Sequence, residues 1–321
     1  MPTVLITGGQ KGVGLQASRT IAGLGGNDLL IGGRDMAEIE RVAASLKREF
    51  GTNVRALEVD VSSLASVRKA AAAVKKLVAK GDISPLGALL LNAGAQFRGP
   101  PRYSADGYEL TFATNCLGHF LLMNLLLDAI SADGRIIFTA SGTHDPATTD
   151  GKIVGAAVEP DAVALANQGK SGPLISGGRR YTTSKLCTIL YAYELDRRLR
   201  AAGSSILSVA YDPGMIPETG LTASIPRPAK ALLRSMLMKR VLKALGVTIG
   251  NLKFSGEMLG RLAIASDYAN ASGKFMQSRN CKSVEQRSSD TSYDSERAKK
   301  MWSDSEKLVG LSPTERPRVI K

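Results

Sequence analysis

"TGGQKGVG", residues 7–14, decides how the rest of the chain is read. The apolar run "TVLIT" leads into it and a helix-like run from Val13 to Leu24 leaves it. Gly8, Gly12 and Gly14 therefore stand in a strand–turn–helix. There, missing side chains let the backbone turn tightly and approach a pyrophosphate at the helix N-terminus. A glycine pattern alone is weak; the strand before it and the helix after it make it a dinucleotide site. Lys11 and Val13 lie in the same turn and join the glycines as cofactor-binding candidates.

Working outward, short apolar runs keep alternating with longer helical ones. "DLLIGG" precedes a helix near Met36 to Glu49, and "VRALEVD" precedes "SLASVRKAAAAVKKLV". "GALLLNAG" precedes a helical stretch around Glu109 to Ile130, and "GRIIFTAS" follows it. "SILSVAYDPG" makes a sixth strand after a helix starting near Tyr181, and "SGKFM" a short seventh. This order predicts an α/β fold, a Rossmann-like doubly wound parallel sheet, in one domain over residues 1–321. Residues 142–180, rich in Gly, Pro, Ala and Asp without a period, read as a long inserted loop. Residues 214–256 read as a substrate lid. Residues 279–321 read as polar chain packed on the surface, with Trp302 as an anchor.

Composition narrows the function. Hydrophobic content of 44% and charged content of 22% are those of a soluble globular protein. The cysteines Cys116, Cys187 and Cys281 are odd in number and widely spaced, which fits a reducing compartment and no metal site. Two histidines, His119 and His144, are too few for a histidine-based metal centre. No signal peptide is visible, and "FLLMNLLLDAI" is too short and too polar at its end to cross a bilayer, so a cytoplasmic location is expected. The net charge of +13 is uneven: seven cations and no acid lie between Glu218 and Glu257. Aromatics are only 5% of the chain and none interleaves those cations before Phe254, so nucleic acid ranks below an acidic substrate or an anionic membrane surface.

The second strand's end selects the dinucleotide. An acid there suits the ribose hydroxyl of NAD, and an arginine suits the 2′-phosphate of NADP. Arg34 follows Gly33, with Lys11 able to converge on the same phosphate, so NADP (NADPH) is expected. Asp35 either binds a ribose or caps the next helix. Asp60, before Val61 at the end of the third strand, either meets the adenine amine or caps the helix starting near Ser62.

Further on, "GGRRYTTSK" places Tyr181 and Lys185 one helical turn apart on one face. With "TGGQKGVG", "DV", "LNAG", "TNCLGHF", "FTAS", "YTTSK" and "DPG" in this order, the chain resembles the short-chain dehydrogenase/reductases, strongly over residues 3–220. The resemblance implies Asn115, Ser141, Tyr181 and Lys185 as catalytic residues. It implies Asn92, Ala93, Gly94, Asp60, Val61, Pro213, Gly214, Ile216 and Thr219, with Tyr181 and Lys185, around the cofactor. Tyr181 would exchange a proton with the substrate oxygen while hydride moves to or from the nicotinamide. A free phenol titrates near 10, so a base at neutrality needs roughly 4 kcal/mol of help, which Lys185 is placed to supply. Ser141 would bind the substrate carbonyl, and Asn115 would hold a water relaying protons to Lys185.

Forty residues separate Ser141 from Tyr181, and the insertion opens "GTHDP". Together with "YTTSKLC" and "PGMIPETGL", this is similar to the light-dependent protochlorophyllide reductases. Ser141 stands where those enzymes usually have threonine, and Met215 where they usually have cysteine. The expectation is an NADP(H)-dependent oxidoreductase acting on a carbonyl or alcohol, with a light-dependent C=C reductase as alternative and a non-catalytic NADP-binding regulator as a further one. The Met- and Leu-rich lid points to a bulky apolar small-molecule substrate. A homo-oligomer and a membrane-surface contact stay open as partners.

Overall fold

The computed structural model describes residues 1–216 and 235–320. Thr219, with Arg227, Lys230 and Arg234 of the basic block, lies outside the described residues.

β1 (Thr3–Thr7) is apolar on both sides of its pleat because both faces of the sheet are covered. Val4 and Ile6 enter one core layer and Leu5 the other. The chain continues through α1 (Gly12–Leu24), β2 (Asp28–Gly33), α2 (Met36–Phe50), β3 (Val54–Glu58), α3 (Leu64–Ala79) and β4 (Leu86–Leu91). It then forms α4 (Leu110–Ala129), β5 (Ile130–Thr139), α5 (Thr149–Val154), α6 (Ala162–Ala166), α7 (Gly177–Ala201) and β6 (Leu207–Asp212). α8 (Met236–Ala244), α9 (Leu252–Ile264), β7 (Phe275–Arg279), β8 (Lys282–Gln286) and α10 (Ser295–Leu308) complete it.

The strands form one sheet in the order β3-β2-β1-β4-β5-β6-β7-β8, parallel throughout except for β8. Successive strands step outward from β1 to β3, and the chain then returns to lay β4 on β1's other side. That reversal opens a crevice at the carboxyl ends of β1 and β4, the place where such sheets bind ligands. Helices α1, α2 and α9 cover one face, and α3, α4, α7 and α10 the other. α9 approaches α1 closely because Gly256 and Gly260 carry no side chain; a Cβ on Gly256 would fall 2.1 Å from Gln16 Cβ.

Four expectations change. α7 starts at Gly177, not near Tyr181, with the Ser176 side chain accepting from Arg179 N as its cap. Gly177 and Gly178 lie in its first turn. They permit contact, since a Cβ on Gly178 would lie 1.9 Å from the Val154 carbonyl oxygen and one on Gly177 2.6 Å from that of Phe97. Residues 142–180 are not plain loop: a 3₁₀ turn (Gly142–His144), α5 and α6 are folded there, each too short to show a period in sequence. The C-terminal stretch is more than surface chain. β8 extends the sheet, and α10 packs on α7 with Trp302 buried edge-on against Phe120 at 4.9 Å.

Finally, "FLLMNLLLDAI" belongs to the longer helix α4, which has the length and hydropathy of a membrane span yet is buried inside the fold. Its five residues Ala113–Leu117 form a π turn, a feature frequent at functional sites.

Candidate active site

The glycine turn is a backbone cradle. Gly8 and Gly12 take φ of 70° and 58°, which other residues rarely adopt. Gly14 is required by space: a Cβ there would stand 2.2 Å from the Gly8 carbonyl oxygen. No side chain caps α1, whereas Asp35 caps α2 and Ser63 caps α3. Its first amides are therefore left for an anion.

Thr7 and Asn92 hold the cradle's walls together. The Thr7 hydroxyl accepts from Asn92 N (2.9 Å) and Ala93 N (3.0 Å), and the Asn92 amide donates to the Thr7 carbonyl at 2.9 Å. Asn92 thus shapes the cradle with its side chain. His119 Nε2 lies 3.0 Å from the Thr7 hydroxyl, and burial lowers this imidazole to about 3, so it is a neutral packed histidine.

At the second strand's end, Asp35 Oδ1 accepts from Glu38 N at 3.0 Å, which makes it a helix cap. Arg34 is exposed beside it and makes no ion pair among the described residues; Lys11 is exposed in the turn. Asp60 is not the cap of α3: its Oδ1 accepts from Ser62 N (2.9 Å) and Ser62 Oγ (2.7 Å), and Ser63 does the capping. Val61 is buried, and its carbonyl meets α4 at Gly118, where a Cβ would lie 1.8 Å away. Sequence reasoning passed over Gln10. It is buried in the turn with Oε1 lacking a hydrogen-bond partner among the described residues, and only its place between the glycines signalled it.

The substrate side is built from buried side chains. Tyr181, Lys185 and Asn115 are each nearly inaccessible. Lys185 Nζ donates to the Thr139 carbonyl at 2.8 Å and lies 5.8 Å from the Tyr181 ring centre. Asn115, in the π turn, accepts from Ala95 N (2.8 Å) and donates to the Ala95 carbonyl (3.0 Å) and Ser184 Oγ (2.9 Å). Gly94 lies directly over this pair: a Cβ there would be 3.4 Å from Asn115 Oδ1 and 3.5 Å from Lys185 Nζ. Asn115 therefore pins the segment after β4 with the same amide expected to hold a water.

Ser141 Oγ accepts from Thr143 N (3.3 Å) and Thr143 Oγ1 (3.0 Å), leaving its own hydrogen to donate. Arg180, beside Tyr181, is a buried partner of Glu109 at 3.1 Å and donates to the carbonyls of Ile175 (2.8 Å) and Gly99 (2.7 Å). It ties the insertion to the segment after β4. Sequence reasoning noted this arginine without giving it a role.

Of these groups, Tyr181 and Ser141 face a cavity of about 510 Å³, whereas Lys185, Asn115 and Arg180 are not part of its lining. Tyr181, Ser141, Asp212 and Asp150 supply its polar wall; Ile153, Val154, Met215, Ile216, Leu242 and Val247 supply much of its apolar one. Pro213 and Gly214 form its rim, and Gly214, at φ 74°, donates from its N to Asp212 Oδ1 at 2.8 Å.

The electrostatics differ from the expectation for Tyr181. Burial pushes its phenol well above the ordinary value, the Ser141 hydroxyl pulls it back in part, and Asp212's charge pushes it up again. Desolvation outweighs any help from Lys185, which burial itself lowers to about 8, with Cys116 and Asp212 opposing. Burial raises Asp212 to about 6, against the bonds from Gln277 and Gly214. Burial therefore favours the protonated form of the Tyr181 phenol.

A family model described as "short chain dehydrogenase" matches residues 2–150. Over 313 residues the chain is 31% identical to retinol dehydrogenase 13 of Mus musculus, covering 97% of this chain and 84% of that protein. The chain is a short-chain dehydrogenase/reductase. As a member of that family it is an oxidoreductase. It is also 32% identical over 327 residues to the chloroplastic protochlorophyllide reductase of Chlamydomonas reinhardtii, covering 97% and 78% of the two chains. A blue fluorescent protein from a metagenomic library, solved in complex with NADPH, shares the short-chain dehydrogenase/reductase fold. The match has a TM-score of 0.61 and 22% identity over 86% of this chain and 95% of that one.

Proposed function

We propose that this short-chain dehydrogenase/reductase uses NADPH to reduce the carbonyl group of a bulky, mainly apolar compound, with Tyr181 as proton donor. The observation that carries the reading is that the buried Tyr181 and Ser141 stand together at the wall of a largely apolar cavity, where burial favours the protonated phenol. That arrangement favours reduction, because the substrate oxygen gains a proton as it gains negative charge.

The cofactor reading rests on the residues around the glycine turn. Gly8, Gly12 and Gly14 leave a groove over the uncapped end of α1, and the Gln10 oxygen, without a hydrogen-bond partner among the described residues, lies in the same turn. Unpaired Arg34 and Lys11 suit a 2′-phosphate, while Asp35 is engaged as a cap. Bound nicotinamide supplies the hydride. The protein's part is to seat the carbonyl oxygen between Ser141 Oγ and the Tyr181 hydroxyl, release the phenolic proton and stabilise the resulting phenolate with the Lys185 charge. Leu242, Val247 and Thr248 support the role of residues 214–256 as a lid, since they line the cavity from beyond the rim.

A second reading is reduction of a ring C=C bond in light. It is favoured by the similarity to protochlorophyllide reductase, and the same tyrosine would give the proton. One assay separates the two: retinaldehyde, simpler aldehydes and ketones, and protochlorophyllide, each with NADPH or NADH, in darkness and in light. Dark, NADPH-preferring turnover of an apolar aldehyde or ketone is expected. Turnover of protochlorophyllide alone, and only in light, overturns the first reading.

A further inference from the structure

We propose that His144 is a positioning residue for Ser141, a strut between the active site and the C-terminal stretch of the chain. The proposal rests on the reading of Ser141 as a donor to the substrate oxygen. His144 is 2% exposed, and both ring nitrogens are engaged. Nδ1 lies 2.8 Å from the Ser141 carbonyl oxygen, and Nε2 accepts from Ser289 N at 3.0 Å. A carbonyl can only accept and an amide N–H can only donate, so the proton sits on Nδ1 and the ring is neutral. Burial, which lowers the imidazole to about 4, keeps it so at working pH.

The far side of the strut is itself anchored. Ser288 Oγ lies 2.8 Å from the Tyr193 hydroxyl on α7 and 2.6 Å from Ser292 Oγ. The His144 ring meets Phe275 of β7 edge-on at 5.1 Å. At the near side, His144 holds the oxygen of the peptide joining Ser141 to Gly142, from its ring Nδ1 at 2.8 Å and from its own backbone N at 3.1 Å. Fixing that peptide plane fixes the Cα–Cβ bond from which Ser141 Oγ projects. The second residue of the "TH" pair at the start of the insertion thereby gains a purpose its sequence position did not reveal.

The test compares steady-state reduction of retinaldehyde by NADPH in His144→Phe, His144→Asn, Ser141→Ala and the double variant His144→Phe/Ser141→Ala. Phe keeps the ring and its contact with Phe275 but loses both nitrogens; Asn restores a donor where Nδ1 stood. The expected result is a fall in kcat of about tenfold for His144→Phe with KM for NADPH unchanged. His144→Asn should recover most of it, and His144→Phe should cause no further loss in the Ser141→Ala background. Hydrogen exchange at the Ser289 amide, which donates to His144 Nε2, should quicken in His144→Phe, a readout independent of turnover. Unchanged exchange there overturns the strut, as does an undiminished kcat in His144→Phe alongside an inactive Ser141→Ala. A fully active Ser141→Ala instead overturns the reading of Ser141 itself. Should His144→Phe fail to fold, His144→Asn against His144→Gln carries the same contrast, because Gln reaches toward Ser289 and Asn toward Ser141; equal kcat for those two overturns the proposal.

Discussion

The carboxyl ends of β1 to β3 and those of β5 and β6 solve different problems with different materials. On the first side the backbone does the work: left-handed glycines, an uncapped helix end and cations in solvent. On the second, the polar side chains of Tyr181, Lys185, Asp212 and His144 are buried, and hydrogen bonds hold Lys185 to the Thr139 carbonyl, Asp212 to Gln277 and His144 to the Ser141 carbonyl. A diphosphate is the same in every dinucleotide, so a fixed arrangement of amides suffices to bind it. A proton donor must be held at one protonation state and one position, which demands burial and partners.

The contrast breaks most decisively at Tyr181. Tyr181→Phe keeps the ring and removes the proton, so turnover should fall by roughly 10²–10⁴ while NADPH fluorescence titrations stay normal. A variant that retains most of its activity would remove Tyr181 from the chemistry. Next in size is Arg34→Ala, expected to raise KM for NADPH by about 10- to 100-fold and leave that for NADH nearly unchanged, as loss of charge-assisted bonds to one phosphate implies. Equal losses with both cofactors would place the 2′-phosphate elsewhere.

A pH profile sharpens the comparison further. Lys185 is lowered to about 8, so its charge is present below that pH and lost above it. The rate of reduction should be level to about pH 7, fall to about half near pH 8 and drop towards about tenfold per pH unit above that. The Tyr181 phenol, raised by burial, stays protonated across that range and adds no second limb. A profile flat to pH 10 would mean that Lys185 keeps its proton or is not needed. The smallest effect belongs to Asp35→Ala. It should cost about 1 kcal/mol of stability through a lost cap, read in a denaturant titration, with the NADPH preference intact. A change in cofactor preference would show that Asp35 reaches the ribose after all.

Legibility followed the range of the interactions. The first four βα units could be read because each declares itself within about twenty residues, through apolar strand, turn chemistry and helical period. α5 and α6 could not, since helices of six and five residues complete too little of a period. The start of α7 was placed near Tyr181 rather than at Gly177 because glycine in sequence signals either a turn or a close contact, and only the neighbouring Phe97 and Val154 carbonyls decide which. Asp60 went the same way: the carboxylate was recognised as a helix-end residue, but Ser63 took the capping position and Asp60 the turn before it.

The sequence by itself determined the strand–turn–helix with its glycines, the order of alternation and the one-turn spacing of Tyr181 and Lys185. Each of these is local geometry, set by residue type and spacing along the chain. The tertiary structure alone decided that burial raises the Tyr181 phenol, that Arg180 meets Glu109, and that His144 joins Ser141 to a residue 145 positions away. Desolvation and long-range hydrogen bonds depend on what packs around a group, and distance along the chain carries no information about that.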